Sequence, residues 1–159
     1  MGGKVVLVGH GLVWRQVLGP RTAAEAPEEA LVPLRRYRCR ACKAVIVVGP
    51  RGLVCRRWYG AGAIALAFAA YARGETSAAA RSRTSPSRVV GASATERWTT
   101  LTRWIEAARR AELFGVAGLA TLARRSVANQ IVLALAARAG HAPGDDLAAS
   151  AFAGAAMAA

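Results

Sequence analysis

Acidic side chains are scarce in this chain: nine Asp and Glu stand against 22 Lys and Arg, a formal net charge of +13. The few carboxylates are scattered, with Glu28–Glu29 and Asp145–Asp146 the only adjacent pairs. No Ser/His/Asp set, Walker loop or GxGxxG signature accompanies them, so the expectation is a protein without catalysis. Long apolar runs are missing too. Hydrophobic residues reach 54%, but alanine supplies much of that, and the longest uncharged stretch, Trp58 to Ala72, has 15 residues. A spanning helix needs ~18 to 20. The opening MGGKVVLVGHG lacks the apolar core and cleavage site of a signal peptide. A cytoplasmic protein with no membrane segment is expected. Cysteine is limited to Cys39, Cys42 and Cys55, an odd set that argues against a secreted disulfide framework.

What the chain does have is positive charge in one place. Sixteen Lys and Arg lie between Arg35 and Arg110 against Glu75, Glu96 and Glu106, while the flanks balance to zero. A GC-rich genome would explain arginine in place of lysine, but not the missing acids. A field so confined favours a polyanion, since each phosphate neutralised releases condensed counterions. Double-stranded DNA is the expected partner.

The pattern of residues predicts an α+β chain in three parts: a β-hairpin unit of degenerate zinc-ribbon type over 1–55, an all-α helix-turn-helix bundle over 56–112, and C-terminal helices with an alanine-rich tail over 113–159. Val5 to Val8 and Leu12 to Leu18 read as two short strands around the glycines that bracket His10. Gly19 to Pro33, with three prolines and three glutamates, reads as a linker. Leu34 to Arg38 and Ala44 to Val48 then flank the C-x2-C pair, placing Cys39 and Cys42 at a hairpin tip.

From Gly60 the period becomes helical. Ala61, Ile64, Phe68 and Tyr71 form one stripe that Gly74 stops. Thr76 caps a short second helix through about Arg83, a tight connection follows at Thr84 to Ser87, and Ser93 with Glu96 fits a capping box for a long helix from about Ala94 to Ala111. Trp98, Leu101, Ile105 and Ala108 would be its buried stripe. Val116 to Leu122 and Ser126 to Ala139 read as helices, and Leu147 to Ala159 as either a marginal helix or a frayed end.

A C-x2-C turn lets two thiolates reach one zinc, and a structural site takes four ligands. Cys39 and Cys42 are therefore half a site, with Cys55 and His10 as candidate additions. A redox role expects the pair to open a helix rather than precede a strand. Cys55 before Arg56 and Arg57 is a candidate low-pKa thiol or a plain small side chain.

Three helices with a short middle member suggest a helix-turn-helix whose third helix enters the major groove. Arg97, Thr99, Thr100 and Arg103, opposite the apolar stripe, would meet DNA there, while Arg81, Arg83 and Arg88 would hold phosphates. An alternative starts the reading helix at Pro86 with Ser85 as cap, making Ser87 and Arg88 the base readers. A plain three-helix bundle with solvating arginines also fits.

Taken in order, RRYRCRACKAVIVVGPRG, GETSAAARSRTS and the W-x-x-L-x-R-W of Trp98 to Trp104 resemble the amino-terminal zinc ribbon and helix-turn-helix of bacterial insertion-sequence transposases, over roughly Gly9 to Arg110. The resemblance implies a truncated, transposase-like, non-catalytic DNA-binding protein, since the family's ribonuclease H-like domain with three metal-binding carboxylates has no counterpart. It also implies a further cysteine pair just before VGHG, so the missing ligands would lie upstream of the start or have been lost. An α-helical protein-interaction module, with a possible homo-oligomer, and a non-functional transposon remnant are the other readings.

Overall fold

The computed structural model describes residues 5–91 and 97–158. Among them are a three-stranded antiparallel sheet in the order β1-β2-β3 (Leu7–Gly19, Glu28–Cys39, Val45–Val48) and helices α1 (Ala61–Ala72), α2 (Ser77–Thr84), α3 (Thr99–Arg109), α4 (Arg124–Arg138) and α5 (Leu147–Ala158). The chain is α+β, with the sheet first and the helices after it.

The first two expected strands are one. β1 runs through His10 with only a register irregularity between Gly9 and Leu12, because Gly11 takes a φ of 90° and absorbs the kink without ending the strand. The expected linker is shorter than Gly19 to Pro33, since Glu28 to Pro33 pair with Trp14 to Gly19. A proline is tolerated there because β3 reaches only as far as Arg35, leaving β2 a neighbour on one side at Pro33. Cys39 ends β2 and the tip is a tight turn: Lys43 N–H donates to Cys39 O at 3.1 Å and Cys39 N–H to Ala44 O at 2.9 Å.

Strand alternation gives the sheet two faces. The register puts Leu7, Leu12, Trp14, Leu31, Pro33, Arg35, Tyr37, Ile46 and Val48 on one of them. On the other, Leu34 is buried, its side chain close to Gly49 as is that of Leu53. On the first face Cys39 is buried while Leu12, Trp14, Leu31, Ile46 and Val48 are exposed, and on the second Val13, Val45 and Val47 are exposed as well.

The helices share one buried cluster. Ile64 and Phe68 of α1, Leu101, Trp104 and Ile105 of α3, and Val127, Ile131 and Leu135 of α4 are all at or below 2% exposure. Tyr59 joins sheet to bundle: its segment bridges β1 at Leu18, and its ring stands edge-on to Trp98 and Trp104 at 5.8 and 5.0 Å.

Three further readings are decided by the backbone. Val116 to Leu122 is not a helix, because Phe114, Gly115 and Gly118 all hold positive φ and a right-handed helix cannot pass through them. The alanine-rich end is a helix packed on its neighbours, Gly154 lying against the Leu135 carbonyl and Gly62 against the Phe152 ring. No helix starts at Pro86: Ser85 to Gly91 is irregular, which removes Ser87 and Arg88 as helical base readers. The Ser93–Glu96 capping box lies outside the described residues. α3 begins at Thr99 after Trp98, whose extended backbone turns its indole into the core. Residues 85–98 therefore separate α2 from α3, a longer connection than the ~3–4 residues of a compact helix-turn-helix.

Candidate nucleic-acid interface

α3 is amphipathic, so burial fixes which side it offers outward. Leu101, Trp104, Ile105, Ala107 and Ala108 are buried with Trp98, while Arg97, Thr99 and Arg103 are exposed and Thr100 is half-buried. Arg97 stands just before the helix rather than on it. Trp98 at the N-cap makes no side-chain cap bond, so that residue leaves the first-turn N–H groups, and with them the positive end of the helix dipole, to other partners. Trp98 N–H instead donates to Ser77 Oγ of α2 at 3.3 Å, which ties the two helices together at the point where the candidate surface begins.

Two arginines that sequence reasoning missed join this surface. Arg124 lines a small cleft of about 190 Å3 with Arg97, Ser77 and Thr102, its Nε 3.8 Å from Glu106. Arg125 places its guanidinium 4.5 Å over the Tyr71 ring and donates to the Tyr71 carbonyl. Because α4 starts at Arg124 rather than at the expected Ser126, both lie in its first turn, where cations oppose the helix dipole.

The other predicted residues separate. Arg81 and Arg88 line a second cleft, about 460 Å3, with Ser82, Ser85 and Ser87. Arg83 is drawn to Glu75, Nε to Oε2 at 2.9 Å, and Arg73 reaches the other oxygen at 3.3 Å. Burial pushes the Glu75 carboxyl up, but the hydrogen bonds from Arg83 and Arg73 outweigh it and hold it below its ordinary value. Arg83 is thus tied to a carboxylate, whereas Arg88, Arg97 and Arg103 make no ion pair among the described residues.

The cysteines and His10 do not converge. The backbone N–H of Cys42, then its thiol and the N–H of Ala41, bond the Cys39 sulfur and hold that thiol below its ordinary pKa, the donor geometry a metal-binding C-x2-C turn uses. His10, however, is three residues along β1 from Leu7, the partner of Cys39, about 10 Å at strand spacing. Cys55 sits in a turn held by Arg15, roughly 25 Å along the same strand. Among the described residues no three His, Cys, Asp or Glu gather as a metal site would require. Two sulfurs do not close a tetrahedral zinc site within one chain.

Nor do the described residues assemble a triad around His141. His141 Nδ1 and Ser150 Oγ lie 3.0 Å apart, but Asp145 Oδ2 takes the Ala142 N–H and Asp146 Oδ1 the Ala148 N–H, each at 2.8 Å. Those carboxylates cap a turn and a helix, and no bond from either orients the imidazole. No family model, curated protein or solved structure matches this chain.

Proposed function

We propose that the chain is a non-catalytic DNA-binding protein, of the kind the transposase resemblance implies, that grips duplex DNA with the N-terminal half of α3. The observation that carries the reading is the division of one short helix. Its apolar side is locked by Leu101, Trp104 and Ile105 with Trp98 at the N-cap, and its other side offers Thr99, Thr100 and Arg103, with Arg97 just before the helix. Arg103 is suited to bidentate bonding of guanine and the threonines to phosphate or a thymine methyl. Arg97, Arg124 and Arg125 flank the start of α3 and would neutralise phosphates, fixing register without reading sequence. Arg81 and Arg88 form a second phosphate contact across the serine-lined cleft, and Arg83 a weaker one.

Zinc enters this reading only at Cys39 and Cys42, and the grip does not depend on it. A chelator should leave duplex affinity unchanged. In a fluorescence anisotropy titration, Arg103→Ala should weaken binding to a selected duplex by about 1 to 3 kcal/mol and relax sequence preference. Arg124→Ala should weaken all duplexes alike. An Arg103→Ala protein with unchanged affinity and preference would remove α3 as the reading element.

The exposed apolar side chains of the sheet, Leu12, Trp14, Leu31, Ile46 and Val48 among them, favour one second reading, a protein-interaction module or homo-oligomer. Light scattering across a concentration series separates it: a mass that rises with concentration, together with no duplex binding at low salt, is the outcome it requires.

A further inference from the structure

On the far side of β1 from β2 the molecule carries a cleft of about 490 Å3 lined by Trp14, Arg15, Gln16, Arg56, Arg57 and Trp58. Both indoles are open to solvent, Trp14 at 62% and Trp58 at 63% exposure. The other two tryptophans, Trp98 and Trp104, are in the core. Two exposed indoles converging on one cleft with arginines is not what core packing or solubility calls for, since exposed tryptophan is costly and is used where a flat apolar partner arrives.

The cleft is built rather than accidental. Val54 to Arg57 form a turn closed by Arg57 N–H to Val54 O at 3.2 Å. Arg15 reaches from β1 to clamp it, donating to Val54 O at 2.7 Å and also to Arg57 O. Leu18 N–H donates to Trp58 O at 2.7 Å, which fixes the second indole along the edge of the strand that carries the first. Arg56, third in the turn, holds a φ of 57°. Glycine or asparagine takes that conformation more cheaply, yet the position carries an arginine whose side chain lines the cleft. No carboxylate lines it.

We propose that this cleft binds unpaired nucleobases with their phosphates, a single-stranded nucleic-acid site separate from the duplex surface on α3. Trp14 and Trp58 supply the stacking planes, Arg56 and Arg57 the phosphate contacts, and the Gln16 amide a donor and acceptor for a base edge. Arg15 is a positioning residue, its guanidinium being committed to the turn. A duplex does not satisfy such a site, because paired bases hide their faces in the stack. Unpaired bases of DNA or RNA expose them, and stacking tolerates any sequence. The volume lies within the ~300–1,000 Å3 of ligand-binding clefts. The inference stands on residues the duplex reading does not use, so either can fail alone.

The test is a titration of the full chain with labelled oligothymidylate and oligouridylate, reading anisotropy and intrinsic tryptophan fluorescence, beside the same titration with duplex DNA. The expected result is quenching by either oligomer, the tighter of the two naming the preferred sugar. Trp14→Ala and Trp58→Ala should each weaken single-strand binding about 10-fold while leaving duplex affinity unchanged, and Arg103→Ala should do the reverse. Trp58→Phe, which still stacks, should retain more affinity than Trp58→Leu, with far-UV circular dichroism verifying that each variant is folded. Absence of quenching in the wild-type chain, tryptophan variants that bind single strands as the wild type does, or a Trp58→Leu protein as tight as Trp58→Phe would each overturn the proposal.

Discussion

The helical bundle and the sheet treat the same kinds of side chain in opposite ways. In the bundle Phe68, Trp104, Ile131 and Leu135 are sealed from water, and even its alanines and glycines serve to bring helices into contact. In the sheet Leu12, Trp14, Leu31, Ile46 and Val48 face solvent although they sit in paired strands. The bundle explains its own stability. The sheet, with Arg35, Arg36 and Arg38 set in its central strand, leaves those apolar side chains exposed, which is the feature the second proposed reading, a protein-interaction module, draws on.

The sharpest way to break this contrast is to remove large side chains from each region. Trp104→Ala or Phe68→Ala should cost about 3–5 kcal/mol in urea denaturation, whereas Leu31→Ala in the sheet should stay within about 0.5 kcal/mol. Equal losses in the two regions would mean that the sheet face is buried in solution. Next in size is Gly154→Ala. The added methyl would meet the Leu135 carbonyl, and forcing α5 away from α4 should cost about 1–3 kcal/mol. Unchanged thermal stability would show that α5 does not contribute to the shared core. Smaller again is Thr76→Ala, which removes the hydroxyl that accepts the Ala79 N–H at 3.1 Å. About 1 kcal/mol should be lost, with amide exchange rising in α2 before the rest of the bundle.

The smallest effect is electrostatic. Because Glu75 titrates below its ordinary value when folded, its contribution is present at pH above the unfolded carboxylate value and is lost as pH falls through the folded one. Glu75→Gln should therefore lower stability slightly at neutral pH and make no difference in strong acid. A variant that differs from the wild type equally at both pH values would show that packing, not charge, is what Glu75 supplies.

Much of the bundle could be read from sequence because its cues are local. Gly74 ends α1 with a φ of 102°, Thr76 caps α2, and the Trp98, Leu101, Ile105 and Ala108 stripe is buried as its spacing predicts. What was not legible depended on distant partners. Glu28 to Pro33 became strand because β1 was there to pair with, a tertiary contact that overrides poor strand propensity. The alanine-rich end forms α5 because Leu135 and Gly62 offer close seats, which alanine content alone does not announce. For the candidate surface, the outward residues of α3 followed from its period. Arg124 and Arg125 did not, since they belong to a helix remote in sequence. The Trp14 and Trp58 cleft was missed for the same reason: 44 residues separate its two indoles, and only the pairing of Leu18 with the Trp58 backbone brings them to one place.

Duplex binding is the claim on which the functional account rests, and its salt dependence is the most direct measurement of it. If Arg97, Arg124 and Arg125 contact phosphates, log K should fall linearly with log salt at a slope near −0.9 per contact. The slope should become shallower by about one unit in Arg124→Ala. Undetectable binding at low salt, or a slope that Arg124→Ala and Arg97→Ala leave untouched, would contradict it.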